Sequence, residues 1–192
     1  RAGTGHGRLH WTANFDEVQD FENDIRLHFG GAGFLTNAQW NNTSNPLGPP
    51  KAGLHSDLDA LSAYVSSLDA STYPASPYRN TDGTLTSGAV AGKQLFSTLN
   101  CTSCHSLTNI QASQLRNVGT LTPGSGKRLG NTLTGLETPT LLGIWQTAPY
   151  FHDGSAPDLR EMMRRSGSQH GNMQSLSSTQ INQLTEYLLQ LD

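Results

Sequence analysis

The sequence predicts an all-α chain with long loops: a smaller helical segment over residues 1–80, then a larger helical domain over residues 81–192. Three observations point there. Apolar residues recur at helical spacing in several separate stretches. No stretch of useful length alternates apolar and polar residues as a strand would. Clusters of glycine and proline divide the periodic stretches, in a chain that holds 20 Gly and 9 Pro.

Taken in order, residues 1–10 are rich in Gly and Arg and predict a loose start. The first helix is read from Phe15, Val18, Phe21, Ile25 and Phe29, with Asn14 as its cap and Gly30-Gly31 as its end. Its other face carries Asp16, Glu17, Asp20, Glu22 and Asp24, which a helix of this kind would turn to solvent. Residues 31–54, with Pro46, Pro49 and Pro50, read as a long connection. A second helix starts at a capping box of Ser56 and Asp59 and presents Leu58, Leu61, Val65 and Leu68. Residues 70–88 are rich in Ser, Thr, Pro and Tyr and read as a linker, which places the boundary near residue 80.

The second part opens with a helix near 87–99, where Ala91, Leu95, Phe96 and Leu99 share a face. Residues 106–138 are loop-like. Pro157 suits the first position of a short helix holding Leu159, Met162 and Met163, which Gly167 closes. Ser177 caps the last helix, with Ile181, Leu184, Leu188 and Leu191 as its buried stripe.

Composition narrows the function. Only 34% of residues are hydrophobic, little for an independent core of this length, and a large bound apolar group would help fill one. Net charge is -3, with 5 basic and 8 acidic residues before the boundary and 7 of each after it. Neither part carries the basic surplus or basic run that nucleic acid or an anionic membrane calls for. No apolar run is long enough to span a bilayer.

The chemistry gathers at Cys101-Thr102-Ser103-Cys104-His105. This is C-x-x-C-H, the haem-attachment spacing of c-type cytochromes. Positions i, i+3 and i+4 share a helical face. Cys101 and Cys104 can then reach the two vinyl groups of one porphyrin, and His105 can serve as the proximal iron ligand. A disulfide, a thioredoxin-like redox pair or half of a zinc site are the other readings of two such cysteines. Zinc would need a second ligand pair and thioredoxin a βαβ pattern. Neither is visible, and the adjoining histidine favours haem. Covalent haem attachment implies a periplasmic, secreted or cell-surface location in a bacterium. With no leader before Arg1, the sequence reads as a processed chain or an excised fragment.

A helix before C-x-x-C-H, a loop-rich middle and a closing amphipathic helix resemble the cytochrome c fold, whose first and last helices cross beside the haem. Thr138-Pro139-Thr140-Leu141 and Ala148-Pro149-Tyr150-Phe151-His152-Asp153-Gly154 follow the motif in order. With it they resemble the C-terminal haem domain of bacterial di-haem cytochrome c peroxidases, over roughly residues 85–192. The stretch His10 to Glu22 looks like a segment of large exported bacterial proteins that carry such a module. Those relatives commonly hold a further haem motif upstream, and this sequence does not. The resemblance implies that the matching haem transfers electrons, six-coordinate and closed to substrate. Electron transfer through one covalent haem is therefore favoured over an enzyme. A peroxidase- or oxidase-type haem enzyme, or a fragment of a di-haem peroxidase-like protein, is the alternative. The partners implied are redox proteins or other haem domains.

The sixth ligand is less direct. The resemblance places a methionine ligand after His-Asp-Gly, and without gaps that position falls on Ser166. Nearby donors are Met162, Met163, His170 and Met173. His170-Gly171 resembles a pair in single-module relatives, so His170 is preferred, with Met163 and Met162 next. A methionine pair on a short apolar helix also suits a core, and a loop histidine also suits solvent. Arg128 could pair with a haem propionate or stand in solvent. Trp145, Tyr150 and Phe151 suit a haem wall or the core. His152 reads as structural or as a redox-surface residue, hydrogen-bonded through one ring nitrogen. His6, His10, His28 and His55 lack a partner cluster, and His10 is the one to suspect beside any upstream haem.

Overall fold

The computed structural model describes residues 8–68, 74–105 and 115–192. His6 and the opening residues 1–7, part of the 70–88 linker and much of the loop after the haem motif lie outside the described residues. The described residues are mostly helical. Six helices, α1 (Phe21–Leu27), α2 (Asn37–Thr43), α3 (Ser56–Ser67), α4 (Ser87–Thr98), α5 (Leu159–Arg165) and α6 (Ser178–Leu188), are joined by loops and short 3-10 turns. The one sheet among the described residues is a two-residue hairpin, β1 (Lys127–Arg128) with β2 (Asn131–Thr132). Leu129 and Gly130, both with positive φ, turn it. That is the twist tight hairpins need, and it makes a hairpin within a stretch read as loop.

The main helix pair is α4 with α6. Thr86 caps α4 through Ala89 N–H, and Ser177 caps α6 through a capping box with Gln180. The expected stripe of α6 is buried: Ile181, Leu184, Leu188 and Leu191 all lie in the core. Phe96 and Tyr187 meet edge to face, 5.5 Å between ring centroids. The two backbones approach so closely that a Cβ at Gly92 would overlap the Gln183 carbonyl oxygen and lie 2.8 Å from Tyr187 Cβ. Met162, Met163 and Met173 join the same core.

The first helix departs from its pattern. A 3-10 turn at Val18–Asp20, capped by Glu17, precedes a short α1, and Asn14 caps nothing. The acidic face is not solvated: Glu17, Asp20, Glu22 and Asp24 are buried, while Leu27 and Phe29 are exposed. Polar partners explain the inversion, since a buried carboxylate survives when donors surround it. Lys51 Nζ lies 2.6 Å from Asp20 Oδ1, and both side chains are fully buried. Asp20 also accepts from the N–H groups of Asp16 and Glu17, and Glu17 accepts from Lys51 N–H. Glu22 accepts from Phe34 and Leu35 N–H and from Arg26 Nε at 2.7 Å.

Other local expectations also change. Residues 31–54 contain α2, started by a capping box of Thr36 and Gln39. His55, not Ser56, caps α3, and Asp59 turns instead to Gly53 N–H and Gln19 Nε2. Of the α3 stripe only Leu58 is buried, and Leu61, Val65 and Leu68 are exposed. Asp158 caps α5, so Pro157 lies before the helix rather than at its first position. The helix ends at Ser166.

Candidate haem site

Asn100 adopts the left-handed conformation and breaks the chain away from α4. The motif therefore sits on its own 3-10 turn, Cys101–Ser103, rather than on a continuation of the helix. Cys104 N–H and His105 N–H both bond back to the Cys101 carbonyl, at 3.2 and 2.9 Å. One turn thus carries all three motif side chains. Both cysteines are free thiols and half-buried. Burial, with Cys104 alongside, pushes the Cys101 thiol upward.

His105 Nδ1 lies 3.1 Å from the Pro139 carbonyl oxygen. A carbonyl only accepts, so Nδ1 carries the proton and Nε2 keeps its lone pair. Burial, opposed by the Pro139 bond and aided by His170, lowers His105 to about 4. The ring is neutral at pH 7, as a metal ligand must be. Burial also lowers His170. Its ring centroid lies 6.1 Å from that of His105, with the planes 46° apart. A metal–imidazole bond is about 2 Å, so two rings ligating one metal from opposite sides would hold centroids about 6 Å apart. The spacing therefore fits a bis-imidazole haem flanked by two free thiols.

His170 stands on a tight turn after α5, where His170 N–H bonds to the Gly167 carbonyl and Gly171 has positive φ. Its Nδ1 lies 3.2 Å from Ser166 Oγ. Ser166 is where the peroxidase pattern places methionine. Here it is a buried hydroxyl touching the histidine, a role no sequence pattern marked except the four-residue spacing from Ser166 to His170. The Pro139 carbonyl was equally hidden, since a backbone acceptor has no residue signature.

The remaining residues are placed as follows. Tyr150 pairs its backbone with Ala156 and donates its hydroxyl to the Ile144 carbonyl at 2.9 Å, packed on the core with Phe151. Trp145 Nε1 is buried without a partner, an orphan donor of the kind a haem carboxylate could satisfy. His152 Nε2 lies 2.8 Å from Ser125 Oγ, and its Nδ1 is buried and unpartnered. Arg128 donates to the carbonyls of Thr12 and Ala13 at 2.9 and 3.1 Å. Its guanidinium is thus committed to fastening the N-terminal segment, not solvated. His10 and His28 flank Asp24, at 3.2 and 3.1 Å, so they share a partner after all. Among the described residues no group of three or more His, Cys, Asp or Glu forms a metal-binding cluster.

Comparison with known proteins bears on this arrangement. The RoxA-like, cytochrome c-like family model matches residues 135–169, which hold Trp145, Tyr150, His152 and Ser166. Residues 135–169 are therefore similar to part of a cytochrome c-like domain. It is also similar to hydrazine synthase subunit gamma of Kuenenia stuttgartiensis, 28% identical over 68% of this chain and 48% of that protein. A solved structure of Kuenenia stuttgartiensis hydrazine synthase, pressurized with xenon, shares the fold, with a TM-score of 0.52 and 24% identity. That match covers 70% of this chain and 55% of the other. The chain spans about half the length of these relatives.

Proposed function

We propose that this chain is a c-type cytochrome that passes single electrons through one covalent haem. Cys101 and Cys104 would hold the haem by thioethers, and His105 and His170 would ligate its iron. Bound there, haem supplies one-electron chemistry between ferrous and ferric iron. The carrying observation is the pairing of two imidazole rings 6.1 Å apart beside the cysteine turn. If His105 and His170 both hold the iron, they would leave it no open site for peroxide, which supports a carrier over a peroxidase. The core methionines have a packing role that accounts for them without iron.

The same reading takes redox proteins or other haem domains as partners, an extracytoplasmic location, and a haem domain beginning near residue 80. Among the described residues no helix is long and apolar enough to cross a membrane. A second reading makes this domain one link in a longer redox enzyme. It is favoured by the similarity to a named enzyme subunit of which the chain spans about half. A further C-x-x-C-H encoded upstream would support that reading.

Low-temperature EPR with near-infrared magnetic circular dichroism on the ferric holoprotein tests the ligand pair. Low-spin iron with a bis-imidazole charge-transfer band is expected. A thioether-to-iron band would remove His170 and return Met163 or Met162.

A further inference from the structure

Ser166 is 1% exposed and its hydroxyl has a single proton to give. Three groups lie within reach, of which the Met162 thioether sulfur, 3.5 Å away, is only a weak acceptor. The Met162 carbonyl oxygen is 2.8 Å away and only accepts. His170 Nδ1 is 3.2 Å away and can donate or accept. Both contacts become hydrogen bonds in one arrangement: the hydroxyl donates to Met162, and Nδ1–H donates to the hydroxyl oxygen. The reverse would turn the hydroxyl proton away from the carbonyl. It would also put the ring proton on Nε2, the nitrogen an iron ligand needs free. Ser166 N–H bonds to the same carbonyl at 3.0 Å and holds the Ser166 backbone in place against Met162.

We propose that Ser166 is the positioning residue of the distal ligand. It grips the back edge of His170, fixes the Nδ1–H tautomer that leaves Nε2 free, and sets how readily the ring leaves the iron. The proposal rests on the reading of His170 as an axial ligand. The two axial rings are then held unequally. His105 donates to a backbone carbonyl, whereas His170 donates to a hydroxyl, the poorer acceptor. His170 is therefore the ring that yields first to an outside ligand, and loss of the Ser166 hydroxyl makes it yield sooner. Outer-shell partners of this kind change metal–ligand affinity by roughly 10- to 100-fold.

The test uses wild-type, Ser166→Ala and Ser166→Thr holoprotein. It reads carbon monoxide affinity of the ferrous form by absorbance and the ferric EPR g-values. Ser166→Ala is expected to raise carbon monoxide affinity about tenfold or more and to shift the g-values. Ser166→Thr, which keeps the hydroxyl, is expected to stay within about twofold of wild type. Wild-type behaviour in Ser166→Ala, with bis-imidazole spectra retained, would overturn the positioning role alone. Equal changes in both variants would also overturn it, by assigning the effect to volume. A thioether band in the wild type would overturn the ligand assignment first, and the proposal with it.

Discussion

Glu137 shows how one side chain can tie stability to pH. It is 9% exposed and its Oε1 has no hydrogen-bond partner. Burial, only partly offset by the charge of Arg8, raises its carboxyl from 4.5 to about 7. Between those values the folded chain holds a proton that the unfolded chain has released, so stability falls as pH rises across the window. The fall amounts to at most about 3 kcal/mol. Glu137→Gln removes the titration and is expected to flatten that slope. Urea unfolding at about pH 5 and about pH 8 measures it, and an unchanged slope in the variant would refute the assignment. At the same scale, Cys101 and Cys104 each carry one thioether in this account. Cys104→Ala is expected to leave the haem singly attached or lost on denaturation, which mass spectrometry of the unfolded protein reads.

At the scale of elements, the α4–α6 crossing and the buried Lys51–Asp20 pair carry the sharpest expectations. A methyl at Gly92 has only the Gln183 backbone and Tyr187 to move, and neither is a flexible chain end. Gly92→Ala is expected to cost at least about 2 kcal/mol, read as a lower urea midpoint, in spite of alanine's better helix propensity. Lys51→Met strands Asp20 in the interior and is expected to cost about 3–5 kcal/mol. Adding Asp20→Asn should recover part of that loss, and a purely additive double variant would contradict the coupling. These elements also show what was legible beforehand. The stripe of α6 and its Ser177 cap follow from local rules and from a large apolar partner, so periodicity found them. The stripe from Phe15 to Phe29 misled, because Lys51 and the loop amides at Phe34 and Leu35 make the acidic face the inner one. No local pattern encodes a partner 31 residues away. The α2 helix was within reach, since Thr36 and Gln39 form a capping box, but the neighbouring Gly and Pro residues hid it.

At the scale of the whole molecule, the cysteine turn, the loop ending at Pro139 and the turn at His170 come from three separate parts of the chain. The His105–Pro139 bond and the His105–His170 ring pair show them brought to one place. The motif residues stand out in the sequence because the covalent attachment proposed for them would demand their spacing. The facing pair of rings was only half legible, because a histidine in a polar loop acquires its meaning from the fold. Haem would then belong to the core of a chain with few apolar residues of its own. Spectroelectrochemical titration of the purified holoprotein tests this account most directly. It predicts a Soret band from one haem per chain, low-spin in both oxidation states, titrating as a reversible one-electron couple without added substrate. Absence of a Soret band, or a high-spin ferric haem that turns over peroxide, would contradict it.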